Sequence, residues 1–155
     1  MKIKLVRLAV LALALAGLVP TAAVAADPAA AVKADLAKLQ ADVQAAHDTL
    51  IPDAQKLTAD AQAAKGGTKE QAKAAIRPDL ERLRADRRAA HAAIRADREQ
   101  LRADLRAARE AKVAKELKTD LQRARATIKQ QLTEIRQALA QARAAVEELR
   151  ASFEK

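Results

Sequence analysis

The chain has 155 residues, no cysteine, tryptophan or tyrosine, a single phenylalanine, and a formal net charge of +9. That length allows one domain, the missing cysteines exclude a disulfide framework, and the missing rings exclude base-stacking nucleic-acid modules. Half of the residues count as hydrophobic, yet most of that half is alanine. Beyond residue 26, Leu, Ile, Val and Phe make up under about a fifth of the chain, a level at which disorder competes with folding. Against disorder, Ala, Arg, Lys, Leu, Gln and Glu fill most positions, and these are the strongest helix formers. No stretch alternates like a strand. The expected class is all-α.

In chain order, MKIKLVRLAVLALALAGLVPTAAVAAD comes first. Lys2, Lys4 and Arg7 precede an apolar run, Leu8 to Val19, that is short for a bilayer span. Pro20 breaks the run, and Ala23 and Ala25 follow as small residues, so the segment reads as a secretory signal peptide cleaved near Ala25. The expected location is periplasmic or secreted, and no transmembrane segment is expected in the mature chain.

Three helical units are predicted after it, at 26–67, 68–111 and 112–155. In the first, Leu36, Leu39, Val43, Ala46, Leu50 and Leu57 recur at helical spacing, and Asp27 and Pro28 suit the N-cap and first turn. Pro52 is expected to kink it, and Gly66-Gly67 to end it. Thr68 and Gln71 form a predicted capping box for the second helix, with Pro78 marking a delayed start or a bend. Neither Pro nor Gly follows Pro78, but the heptad phase slips between Ala108 and Leu117, where a turn is expected. The predicted architecture is an elongated antiparallel bundle or coiled coil of two to three long helices.

The first two units repeat. Val32–Lys65 and Ile76–Arg109 share 14 of 34 residues at an offset of 44, among them Asp35/Asp79, Asp42/Asp86, His47/His91, Asp53/Asp97 and Asp60/Asp104. A fainter third copy begins at Asp120–Leu121 and continues through Ile128, Ile135, Ala142 and Val146. A hairpin closed at Gly66-Gly67 would place opposite one another residues whose numbers add to about 133. His47 would then face the level of Arg87, and His91 that of Val43.

Charge divides unevenly. The first unit holds six acids and four bases, the second eight and twelve, and the third six and ten. Arg88, Arg95, Arg102 and Arg109 fall at seven-residue spacing, with Arg84 and Arg98 beside them. These six are the candidate site for an anionic partner, because arginine forks match carboxylates and phosphates. The competing reading is a solvated face laced by pairs such as Arg82–Asp86, Arg95–Glu99 and Glu99–Arg102. The two histidines, with Asp48 or Asp86, offer a metal only a partial ligand set. No nucleophile constellation, phosphate loop or buried carboxylate pair is legible, so neither an enzyme nor a cofactor is expected.

Leu57-Thr58-Ala59-Asp60-Ala61-Gln62 and Leu132-Thr133-Glu134-Ile135-Arg136-Gln137 resemble the LTxxQ motif of the Spy and CpxP class of periplasmic chaperones, each with one extra residue before the glutamine. The second unit has LRADLR at the matching place, without the threonine. The resemblance implies a dimeric cradle that binds clients. The expected function is therefore an exported, non-enzymatic interaction protein that binds acidic or partly unfolded proteins, or anionic envelope components, through a basic helical face. A homodimer fits this reading, and nucleic acid is disfavoured. The alternatives are a structural coiled-coil spacer of the envelope and a weak metal-binding envelope protein.

Overall fold

The structure, a computed structural model, describes residues 27–154. The expected signal peptide and its cleavage near Ala25 lie outside these residues. Three long helices make up the fold: α1 (Pro28–Ala63), α2 (Lys69–Glu110) and α3 (Lys118–Ala151). There is no strand among the described residues. None of the helices is long and apolar enough to cross a membrane.

Local sequence sets most of the boundaries. The Asp27 side chain accepts from the Ala29 amide at 2.9 Å, and Pro28 occupies the first turn, where its missing N–H costs nothing. α1 closes through a 3₁₀ turn at Ala64–Gly66, and Gly67 is extended. Thr68 caps α2 by accepting from the Gln71 amide at 3.3 Å, while the Gln71 side chain accepts from the Thr68 amide at 3.0 Å. Both prolines sit inside continuous helix. Pro78 therefore does not delay α2, because the capping box ten residues earlier already starts it.

The α2–α3 turn uses a different device. The Val113 amide donates to the Ala108 carbonyl and the Lys112 amide to that of Arg109, both at 3.0 Å, which is a Schellman closure. It puts Lys112 at φ 62, a left-handed conformation that glycine fills without strain. Leu117, 1% exposed, then anchors the start of α3. Replacing Lys112 by glycine should raise stability by about 1 kcal/mol. Urea unfolding of the two chains measures this, and a loss of stability would mean the turn is closed some other way.

α1 is the shared helix. It packs along both neighbours, whereas α2 and α3 stay apart and leave a groove between them. The α1–α2 seam is antiparallel and built around the repeat. Lys38 pairs with Asp97, and Arg82 with Asp53 at 3.2 Å. Each of these pairs adds to 135, and an offset of 44 turns one into the other. The same holds within the helices, where Lys38–Asp42 (3.1 Å) matches Arg82–Asp86 (3.7 Å) and Lys56–Asp60 matches Gln100–Asp104. Aspartates stand side by side across the seam as 35/104, 42/97, 53/86 and 60/79, each adding to 139. Two of the buried, unpartnered oxygens, Oδ2 of Asp53 and Oδ2 of Asp97, are also counterparts. A pseudo-two-fold axis thus relates α1 to α2.

Two sequence expectations are corrected here. The register lies at 135–139 and not near 133, because the chain spends a 3₁₀ turn and two extended residues between the helices. His47 and His91 therefore reach nearly the same level, astride the axis, instead of lying a turn apart. Secondly, although no buried carboxylate pair is legible in the sequence, two aspartates are buried. Asp53 and Asp97 are 8% and 5% exposed and tied to cations across the seam.

α3 runs parallel to α1. Gln131 meets Gln44, His47 Nε2 lies 2.8 Å from Glu134, and Lys65 lies 2.8 Å from Glu148. These offsets of 83–87 bracket the 85 at which the faint third copy aligns with the first, so matching residues of units one and three sit level.

Candidate functional site: a basic groove beside a vacant helix face

The polar and small residues of α1 seen to meet α3 (Lys33, Ala37, Gln40, Gln44, His47 and Lys65) extend by heptad spacing into two lanes. One holds Lys33, Gln40, His47, Ala54 and Ala61, and the other Ala37, Gln44, Ile51, Thr58 and Lys65. Lys33, Ala37 and Gln40 flank the start of α3 beside Asp120, Arg123 and Ala124. Gln44, His47 and Lys65 hold the polar contacts just described, and Ala54 and Ala61 are fully covered. Small residues let the helices approach, and the polar ones fix the register of α3.

On α2 the axis maps these lanes to Arg77, Arg84, His91, Arg98, Leu105 and to Glu81, Arg88, Arg95, Arg102, Arg109. All six candidate arginines of the sequence lie there. The repeat has diverged at just these places: one of the ten lane positions is identical between copies, against 13 of the other 24. Identity is thus concentrated outside the lanes.

Arg84, Arg88, Arg95, Arg98, Arg102 and Arg109 are all exposed. Arg95 pairs with Glu99 at 2.9 Å, as the laced-face reading expects, and Arg82 with Asp86. The expected Glu99–Arg102 pair does not form, and among the described residues no ion pair involves Arg84, Arg88, Arg98, Arg102 or Arg109. The stripe is for the most part unneutralised.

Arg98 and Arg102 also border the groove between α2 and α3, which encloses about 360 Å³. Leu36 and Leu39 of α1 form its floor, Leu101 and Leu105 one wall, and Leu121, Ile128 and Leu132 the other. Arg125, Lys129 and Arg136 of α3 complete a basic rim, and no acidic residue lines the space. Arg109 continues the rim toward the turn, with Lys115, Lys118 and Arg125. Sequence reading missed the α3 contribution. Its signal was available in the four- and seven-residue spacing of Arg125, Lys129 and Arg136 around Ile128 and Leu132.

Other candidates are placed differently. Leu57 is 1% exposed, and the Thr58 hydroxyl donates to the Ala54 carbonyl at 2.8 Å, so this motif serves the α1 interior. In the second motif, Thr133 likewise donates to the Lys129 carbonyl at 2.8 Å, while Leu132 reaches the groove. His47 is engaged by carboxylates, whereas His91 is exposed beside Ile94, Arg95 and Arg98. Among the described residues no group of three or more His, Cys, Asp or Glu converges as a metal site would require.

Two groups of carboxylates differ in proton affinity. Burial, then the neighbouring Asp104, holds Asp35 above its ordinary value, and no cation bridges that rung because Gln100 stands where its counterpart is Lys56. Asp60 is lowered instead, chiefly by Lys56. His47 is raised by Asp48 and then by Glu134. A histidine with a raised folded value contributes stability that is full below its unfolded value and is lost as pH rises through the folded one. The urea midpoint should therefore fall between about pH 6 and 8, and His47→Gln should flatten that fall. An unchanged slope in the variant would show that His47 does not tie α1 to α3.

No protein-family model, curated protein or solved structure matches the chain.

Proposed function

We propose that this chain is an exported, non-enzymatic interaction protein that binds acidic or partly unfolded envelope proteins through the arginine face of α2 and the groove beside it. The observation that carries the reading is the combination of a leucine-lined groove with a rim of cations that have no acidic partner among the described residues. Apolar walls suit exposed hydrophobic segments, and an arginine rim beside them forms charge-assisted contacts to carboxylates. A purely solubilising surface would gain nothing from collecting unpaired cations around leucines. The chaperone likeness of the two Leu-Thr motifs agrees with client binding, and the apolar, proline-broken N-terminal run agrees with export.

An aggregation-suppression assay with an acidic client, run at low and high salt, tests the proposal. Suppression should be strong at low salt and weaken steeply as ions screen the rim. Changing Arg88, Arg95 and Arg102 to glutamine should reduce it several-fold with helicity intact, because glutamine is nearly as good a helix former. A chain that suppresses nothing at any salt would be a spacer.

A further inference from the structure

We infer that the lanes of α2 and the adjoining groove form a vacant helix seat, and that its occupant is an acidic amphipathic helix of a partner protein lying parallel to α2. This rests on the acidic-partner reading above and specifies the partner's shape and direction.

The axis relating α1 to α2 supplies the first argument. On α1 the two lanes already hold a helix, α3, in a parallel pose fixed by Gln44, His47 and Lys65. The counterparts of those three are Arg88, His91 and Arg109. Backbone geometry along the seam is shared by the copies, as the matched ion pairs show. A helix set on α2 as α3 is set on α1 would therefore meet the same spacing of lanes. It would also put its C-terminal half into the groove, because the groove-lining Arg98, Leu101, Arg102 and Leu105 are counterparts of Ala54, Leu57, Thr58 and Ala61.

Charge and chemistry then choose the occupant. α3 meets α1 with Glu134 and Glu148, against a face of modest charge. On α2 most lane positions are arginine, so a seated helix needs acids along both flanks. Its apolar stripe would cover Leu101 and Leu105, whose counterparts Leu57 and Ala61 are already covered on α1. The α3 of a second copy is a poor fit, because it would bring Arg125, Lys129 and Arg136 against an already basic rim. The stretch of α2 from Arg88 to Leu105 corresponds to roughly 25 Å of helix, about five turns.

The test uses the full chain and a labelled synthetic peptide of about 20 residues, with leucine on one face and glutamate on the other. Controls are a scrambled isomer, polyglutamate and vesicles of anionic phospholipid. The peptide should bind and gain helical signal. The combined variant Arg98→Gln, Arg102→Gln, Arg125→Gln should weaken it more than tenfold while circular dichroism of the protein is unchanged. A photocrosslinker at the peptide's C-terminus should attach near Leu105, and one at its N-terminus should not. Equal binding of the scrambled isomer or polyglutamate would overturn the helix seat while leaving the acidic-partner reading standing. Reversed crosslinks would overturn the inferred pose, and binding to vesicles alone would overturn the protein partner in favour of a membrane surface. No binding by any anionic probe would overturn both readings together.

Discussion

Replacing Ala54 with arginine should detach α3 from α1 and cost on the order of 3–5 kcal/mol, enough to unfold most of a marginal bundle. Ala54 is fully covered and lies one heptad beyond His47, which meets Glu134 of α3. A guanidinium there must either push the helices apart or lie buried without an acid, and the two costs are of similar size. The substitution is informative because arginine is what the repeat itself carries at the counterpart position, Arg98. The same side chain is tolerated on α2 because no helix covers it. Hydrogen exchange would measure the effect, with protection of Ala124 to Val146 expected to collapse before that of the α1–α2 seam. Unchanged protection would mean that α3 is not seated on this face.

Leu57→Ala should cost about 3 kcal/mol, and its counterpart Leu101→Ala closer to about 2. Both leucines belong to the core, at 1% and 9% exposure. Truncation at Leu57 leaves an enclosed cavity, while at Leu101 it widens a groove that is already open. The cavity term therefore falls mainly on the first. Fifteen Leu, Ile and Val side chains and eight alanines make up the buried core, so either loss is a sizeable part of the total. Urea unfolding of both variants at one pH measures the difference, and equal losses would remove the contrast between a covered and an open face.

The helices were legible because their signals are local. Apolar spacing marks the faces of all three, Asp27 with Pro28 and Thr68 with Gln71 mark two starts, and the loss of the apolar stripe after Ala108 marks the second turn. How that turn closes was not legible. It depends on Lys112 in a left-handed conformation, a place where glycine is the usual sign and none is present. The register was legible in principle from the four repeated aspartates, which can pair symmetrically only if their partners add to 139. Reading it from the glycines alone missed the 3₁₀ turn that follows α1.

For the site, the arginine stripe stood out by its seven-residue spacing, but its meaning did not. Only a structure says which face of α1 meets α3, and hence that the stripe occupies the corresponding face of α2. The groove was hidden for the same reason, since its two walls lie on helices that barely touch.

Two related helices present equivalent faces, one filled by α3 and the other open. Cysteines introduced singly as Ala54→Cys and Arg98→Cys, counterparts across the axis in a chain with no other thiol, test it through their rates of labelling in the native protein. The Arg98 site should react at nearly the rate of an unfolded control, and the Ala54 site only when the chain opens. Equal protection of the two would contradict the account, because it would mean that the α2 face is already covered in solution.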